Sequence, residues 1–271
     1  MRGPDAHANG ASPVVIKLGG RALEADGAAA ELAAEIAPLT GEVLLVHGGG
    51  AEVSQWCERL GHAPRFENGL RVTDAPTLDV AAAVLAGLAN KRLVAALRKG
   101  GADAVGLSAL DGGMVFVRPH RDSATLGAVG EVTKVAPGLL SLLLADRRVP
   151  VIASIAASEG ALLNLNADDL AASLAAALGA RALILISDVP GVVLGNKVAA
   201  YIARADLDQA IDSPEVAGGM RPKLNAGRVA LDGGVQRVHI AAWTGPGTLR
   251  KLMTAAGGTV LIPTEAEGSH D

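Results

Sequence analysis

The chain of 271 residues has one cysteine, Cys57, and very few aromatic residues: two Phe, two Trp and one Tyr, 2% of the total. A single cysteine excludes an intrachain disulfide and fits a reducing, cytoplasmic compartment. A core without aromatics has to be aliphatic, and the 50% of hydrophobic residues, mostly Ala, Leu and Val, supply it in one large domain or two modest ones. Charge of one sign is also lacking. With 24 Lys and Arg against 28 Asp and Glu, the formal net charge is −4. No basic footprint for nucleic acid is present, and any anionic ligand must be held by local groups. The longest apolar region, Leu170 to Ile186, is interrupted by Ser173, Gly179 and Arg181. It reads as a buried helix, a turn and a strand, so no membrane span is expected. Residues 1–13 are polar and read as a disordered arm, not a signal peptide; residues 264–271 read as a tail.

Glycine is what the chain has in excess, 34 residues with no collagen-like period. Two stretches organise the rest: Val14-Val15-Ile16-Lys17-Leu18-Gly19-Gly20 and Val43-Leu44-Leu45-Val46-His47-Gly48-Gly49-Gly50. Each is an apolar run breaking straight into glycine, the pattern of a buried parallel strand followed by a loop. Glycine there lets backbone N–H groups approach an anion. In open α/β sheets, ligands bind at that end of the strands. Lys17 is a charge on an otherwise apolar strand, and beside two glycine loops it favours a phosphate site. A helix over Glu52–Leu60 would point its positive amino end at the second loop. His47 reads as a packed histidine bonded to backbone, not a base.

Asn68-Gly69, inside Pro64–Thr73, signals a hairpin. Just after a ligand loop it could act as a lid, with Arg71 as a planar carboxylate clamp. Pro76 opens a long helix to about Leu97 whose nearly all-round apolar surface predicts a dimer interface. Strands are expected at Val105–Leu107, Met114–Val117, Val129–Val135 and Val149–Ser154, with a helix over Leu139–Leu144. The apolar run Leu162–Leu165 leads through Asn164, Asn166, Asp168 and Asp169 into an Ala/Leu helix, and capping explains only one of those polar residues. The Leu183–Ile186 strand runs into Ser187-Asp188-Val189-Pro190-Gly191, and Lys197–Ile202 reads as a small hairpin strand. Gly218-Gly219-Met220-Arg221-Pro222-Lys223 starts a helix with Pro222 near its first position. Lys223 is disfavoured in that first turn unless an anion lies nearby.

Lys17-Leu18-Gly19-Gly20, His47-Gly48-Gly49-Gly50, Asn68–Thr73, Asn164–Asp168, Ser187–Gly191 and Gly218–Lys223 occur in one order over residues 14–263. Together they resemble the amino acid kinase superfamily, most closely its acetylglutamate kinases. The resemblance implies an α/β fold, a three-layer αβα sandwich on a mainly parallel sheet. Its acceptor lobe would cover residues 14–165 and its nucleotide lobe residues 166–263. It implies that Lys17 and Lys223 stabilise the moving phosphoryl group and that Asp168 orients them. Gly49, Gly50, Arg71 and Asn164 would hold N-acetyl-L-glutamate. Gly19, Gly20, Ser187, Asp188, Gly191 and Met220 would line the site for ATP, which would bring Mg²⁺ without a dedicated protein metal site. The activity implied is the second step of arginine biosynthesis, in a homodimer. Arginine-inhibited hexameric relatives carry a longer amino-terminal helix before the residue matching Lys17, so no arginine feedback is expected.

The chemistry agrees with that assignment. A side-chain carboxylate acceptor has a reference pKa of about 4.3 and is ionised at neutral pH, so it needs no general base. What it needs is positive charge and fixed N–H donors against a triphosphate. Two alternatives remain. Gly61–Phe66 and Asn90–Val94 resemble a kinase of carrier-linked aminoadipate or glutamate, for which Arg118, His120 and Arg121 would form a thin basic patch. The same fold also serves non-catalytic nucleotide or oxyanion binders. A nicotinamide-binding fold fails, because Val53 stands where the dinucleotide fingerprint needs its third glycine.

Overall fold

The computed structural model describes residues 12–19, 27–216, 218–254 and 257–263. Its central sheet has eight strands in the order Tyr201–Ala203, Thr259–Ile262, Val238–Ala242, Ala182–Ser187, Val14–Leu18, Val43–His47, Val149–Ala153, Ala104–Ser108. All neighbours are parallel except Val238–Ala242 with Thr259–Ile262. Parallel strands need crossovers that cover both faces, which is why these segments are mostly apolar. Alternation survives as a choice of face. Val14, Ile16, Leu18, Val43 and Leu45 pack with the helices Ala28–Ile36, Asn90–Lys99 and Thr248–Met253. Val15, Leu44, Val46, Leu183 and Leu185 pack with the helices Gly138–Ala145, Ala167–Ala177 and Met220–Asp232. The expected αβα sandwich follows, and its second core runs unbroken across residues 165 and 166, so the two lobes share one sheet and one interior.

A second, four-stranded sheet has the order Val115–Pro119, Val129–Val135, Ala161–Leu165, Ile155–Ser158. The last two form a hairpin that the apolar sequence hides. Its turn residues Glu159 and Gly160 both take left-handed conformations, φ 50° and 83°, as a two-residue primed turn requires.

Several boundaries move. The expected strand over Lys197–Ile202 divides: Lys197–Val198 pairs with Val193–Leu194, and Tyr201–Ala203 joins the edge of the main sheet. The helix carrying Lys223 begins at Met220, two residues before Pro222. Pro222 still lies in the first turn, where its missing N–H has no intrahelical partner to lose. Ser12 and Pro13, which the sequence places in the arm, are tied down: Arg181 donates to the Ser12 carbonyl through its side chain and to the Pro13 carbonyl through its backbone. The rest of the arm, residues 1–11, the tail 264–271 and Gly20 lie outside the described residues.

The long helix runs from Ala75 to Lys99, 25 residues with the length and mean hydropathy (1.6) of a membrane span. It packs on the sheet through Leu93 and Leu97. Asp74 caps it by accepting from the Thr77 N–H. Residues Ala83–Ala89 have π-helical geometry. Buried positions step by four from Thr77 to Ala81 to Leu85, then by five to Asn90, then on to Leu93 and Leu97. The wide turn therefore rotates the second half so that Asn90 faces the sheet.

Candidate functional site

Lys17 alternates with Val15, so its side chain leaves the strand on the face covered by the Ala167–Ala177 helix. That helix begins beside it. Asn166 is its N-cap, accepting from the N–H groups of Asp168 and Asp169 through its side-chain carbonyl. Asp168 in the first turn is favoured by the helix dipole and is almost fully buried. Lys17 Nζ lies 2.8 Å from Asp168 Oδ1, and Lys223 Nζ lies 3.1 Å from Oδ2. Burial alone would raise the Asp168 pKa, but the ammonium groups of Lys17 and Lys223 outweigh it and hold the carboxyl below its ordinary value. Two cations share this one carboxylate, so the trio itself carries a net positive charge. Gly19 keeps that arrangement possible: a Cβ there would lie 2.5 Å from Lys17 Nζ and 2.7 Å from the Ile186 carbonyl.

The second glycine loop uses its carbonyls and leaves its N–H groups open. The Gly48 carbonyl lies 2.8 Å from His47 Nδ1. The Gly49 carbonyl accepts from Val53 N–H at 2.9 Å, and the Gly50 carbonyl accepts from Arg71 Nη2 at 2.6 Å. Among the described residues, nothing accepts from the N–H groups of Gly49 or Gly50. They stand at the start of the Gly50–Arg59 helix, where orphan donors and the dipole favour an anion. Gly49 has no room for a side chain, since a Cβ would lie 2.8 Å from Leu85 Cδ2. His47 is buried, and burial lowers its pKa. It is a packed histidine, as the sequence suggests.

Arg71 ends the second strand of a hairpin, Phe66–Glu67 with Leu70–Arg71. Asn68 and Gly69 form the turn with φ 50° and 83°. The hairpin tip reaches the other lobe: a Cβ on Gly69 would lie 3.6 Å from Pro222 Cγ, in the first turn that carries Lys223. Arg71 is buried, stacks 4.7 Å over the Phe66 ring, and donates from Nη2 to the Gly50 carbonyl and to Ser54 Oγ. Its Nη1 is buried without a partner, and no carboxylate among the described residues pairs with it. A buried guanidinium with an open N–H is costly unless a ligand completes it. Lys17, Gly49, Gly50, Arg71, Asn164 and Asp168 all line one cavity of about 230 Å³. Asn164 is steadied by its amide, which donates to the buried Thr73 hydroxyl.

The described residues assigned to the nucleotide do not line that cavity. Leu18 is in register with Ile186, so Gly19 and Ser187 leave the sheet side by side, and Asp188 follows. Met220 opens the helix that carries Lys223. Gly191 is a packing position: a Cβ there would lie 2.7 Å from both Thr259 Oγ1 and Val198 Cγ1. Among the described residues, no group of three His, Cys, Asp or Glu is disposed to hold a metal ion. Sequence reasoning missed Ser54 and Asn90. Ser54, one helical turn past Gly50, was recoverable from that spacing.

The Amino acid kinase family matches residues 12–242 of this chain. The acetylglutamate kinase of Acaryochloris marina (strain MBIC 11017) is 41% identical over 258 residues, covering 92% of this chain and 90% of that protein. The acetylglutamate kinase of Solibacter usitatus (strain Ellin6076) is 41% identical over 245 residues, covering 89% and 95%. A solved structure from Streptococcus mutans UA159 superposes with a TM-score of 0.79 at 28% identity, covering 93% of this chain and 98% of that one. The N-acetylglutamate synthase of Neisseria gonorrhoeae, complexed with coenzyme A and N-acetyl-glutamate, superposes with a TM-score of 0.81 at 26% identity. There the match covers 94% of this chain and 60% of that one.

Proposed function

The chain belongs to the amino acid kinase family, among its acetylglutamate kinases, and on that footing we propose how its residues move the γ-phosphoryl group of ATP onto the side-chain carboxylate of N-acetyl-L-glutamate. An acceptor oxygen attacks the γ-phosphorus, the bond to the β,γ-bridging oxygen breaks, and ADP leaves with that electron pair. The product is N-acetyl-L-glutamyl 5-phosphate. No proton has to move, because the acceptor is already ionised. The observation that carries this reading is the pair of ammonium groups on Asp168, which with Lys17 and Arg71 lines one cavity.

Lys17 and Lys223 neutralise charge on the transferring group, and Asp168 fixes both while remaining an anion itself. The free N–H groups of Gly49 and Gly50 add donors that need no reorganisation. Arg71, with Asn164 beside it, clamps the acceptor's second carboxylate through its open fork. Gly19, Ser187, Asp188 and Met220 are the described residues assigned to the nucleotide, and Gly191 supports their turn by its packing. Bound together with the nucleotide, Mg²⁺ would supply further charge neutralisation beside Lys17 and Lys223. The hairpin tip beside Pro222 closes over both lobes and keeps water from the acyl phosphate. The exposed side of the Ala75–Lys99 helix, with Leu88 39% accessible, is the surface for a second copy of the chain, in a cytoplasmic homodimer. A carrier-linked acceptor is less well supported, because Arg118 and His120 both face Glu131 and Arg121 faces Asp122. That leaves no unpaired basic patch there.

ADP release measured with N-acetyl-L-glutamate, L-glutamate and N-acetyl-L-aminoadipate, with hydroxylamine trapping the mixed anhydride, tests the assignment. N-acetyl-L-glutamate should be the best substrate and yield a hydroxamate. Turnover confined to another acceptor, or no hydroxamate, would overturn it.

A further inference from the structure

We propose that Asn90 and His47 are a positioning pair that sets the Gly48–Gly49 peptide, and through it the Gly49 N–H donor at the acceptor oxygen that takes the phosphoryl group. The role rests on the kinase reading above; the geometry does not. Asn90 is fully buried, brought to the sheet by the π-helical turn before it. Its amide can be oriented without ambiguity. Lys91 Nζ donates to Oδ1 at 3.0 Å, so Oδ1 is the acceptor end. Nδ2 faces the Val151 carbonyl at 3.0 Å and the Leu107 carbonyl at 3.3 Å, so Nδ2 is the donor end. Nδ2 also lies 3.1 Å from His47 Nε2.

The Gly48 carbonyl opposite Nδ1 can only accept, which leaves Nε2 of the neutral ring as the acceptor facing Asn90 Nδ2. The imidazole proton therefore sits on Nδ1, which donates to the Gly48 carbonyl at 2.8 Å. In a planar trans peptide the C=O and the following N–H point to opposite sides. Fixing the Gly48 carbonyl toward His47 thus fixes the Gly49 N–H on the other side, among the donors left open. The strand beside Asn90 is shaped for this contact. Gly106 has no side chain, and a Cβ there would overlap Asn90 Oδ1 and lie 2.9 Å from Lys91 Nζ. His47 lines a separate cavity with Gly19, Gly48 and Gly49, and neither His47 nor Asn90 lines the cavity that holds Arg71 and Asp168; on that cavity both act through the peptide they hold.

The test compares His47→Asn, His47→Gln and Asn90→Ala in the full chain. Asparagine at 47 keeps an N–H close to the Nδ1 position; glutamine carries its N–H out to the Nε2 position. His47→Asn should keep kcat within threefold of wild type. His47→Gln and Asn90→Ala should lower kcat tenfold or more with the acceptor KM within threefold. Equal kcat for the Asn and Gln variants, or an unchanged kcat for Asn90→Ala, would overturn the proposal. A second readout is independent of activity. ¹⁵N NMR of wild-type His47 at pH 7 should show the neutral Nδ1–H tautomer, and an Nε2–H tautomer would overturn the pair. A wild-type chain that shows the Nδ1–H tautomer yet does not phosphorylate N-acetyl-L-glutamate would instead refute the kinase reading alone.

Discussion

Lys17 and Asp168 form an ion pair of 2.8 Å in which each side chain is less than a tenth exposed. The pair is not closed on itself, because Lys223 occupies the second oxygen of the same carboxylate. Asp168→Asn would leave both ammonium groups without the carboxylate they share. Breaking a buried pair in this way costs about 3–5 kcal/mol, and urea denaturation at pH 7 should show a loss of that order. The sign with pH follows from the lowered pKa of Asp168. Its contribution is complete above the unfolded value of 3.8 and is lost as pH falls through the still lower folded value. The gap between wild type and variant should therefore close only below about pH 4. Equal stability at pH 7 would contradict this account of the carboxylate.

Arg71 should be an acceptor-binding residue. Arg71→Ala removes a buried cation whose Nη1 has no partner among the described residues, and truncating one side of a buried charge pair costs about 2–5 kcal/mol. The acceptor KM should rise at least thirtyfold, on the order of 2 kcal/mol, with a smaller change in kcat. Arg71→Lys should not restore it, because lysine lacks the planar fork that reaches Gly50, Ser54 and a ligand together. An unchanged acceptor KM in Arg71→Ala would remove the residue from that role.

His239 governs part of the acid limb of stability. It lies buried in the Val238–Ala242 strand with Nδ1 unpartnered. Burial, with Arg237 adding to it, pushes its pKa from 6.5 down to about 4. Between those values the unfolded chain binds a proton that the fold does not. Stability should accordingly fall as pH drops from 6.5 toward 4, by on the order of 2–3 kcal/mol from this group. His239→Gln should flatten that limb in urea melts taken at half-unit intervals of pH. Identical limbs in variant and wild type would contradict it.

The parts of the site that were legible in the sequence sit at strand ends. There a glycine directly follows an apolar run, and Lys17 is the one charge in its strand. Asn68-Gly69 was legible for the same local reason, since few other pairs adopt both left-handed conformations of its turn. What was illegible depends on contacts that local pattern does not encode. The π-helical turn shifts the buried face by one residue between Leu85 and Asn90. A reading by the ordinary helical period therefore points Asn90 away from His47. Glu159 takes a turn position that asparagine usually marks, which concealed the hairpin delivering Asn164. Glu35 caps the Thr248–Met253 helix from 212 positions away, accepting from Gly247 N–H at 2.7 Å. Nothing near residue 248 announces that partner.

The most direct measurement is steady-state kinetics of Lys17→Ala and Lys223→Ala with N-acetyl-L-glutamate and ATP as substrates. If both ammonium groups act on the group in transit, each variant should lose about 10²–10³-fold in kcat while the acceptor KM changes by less than about threefold. A loss confined to KM, with kcat intact in either variant, would show that the lysine only holds the ground state and would contradict the account.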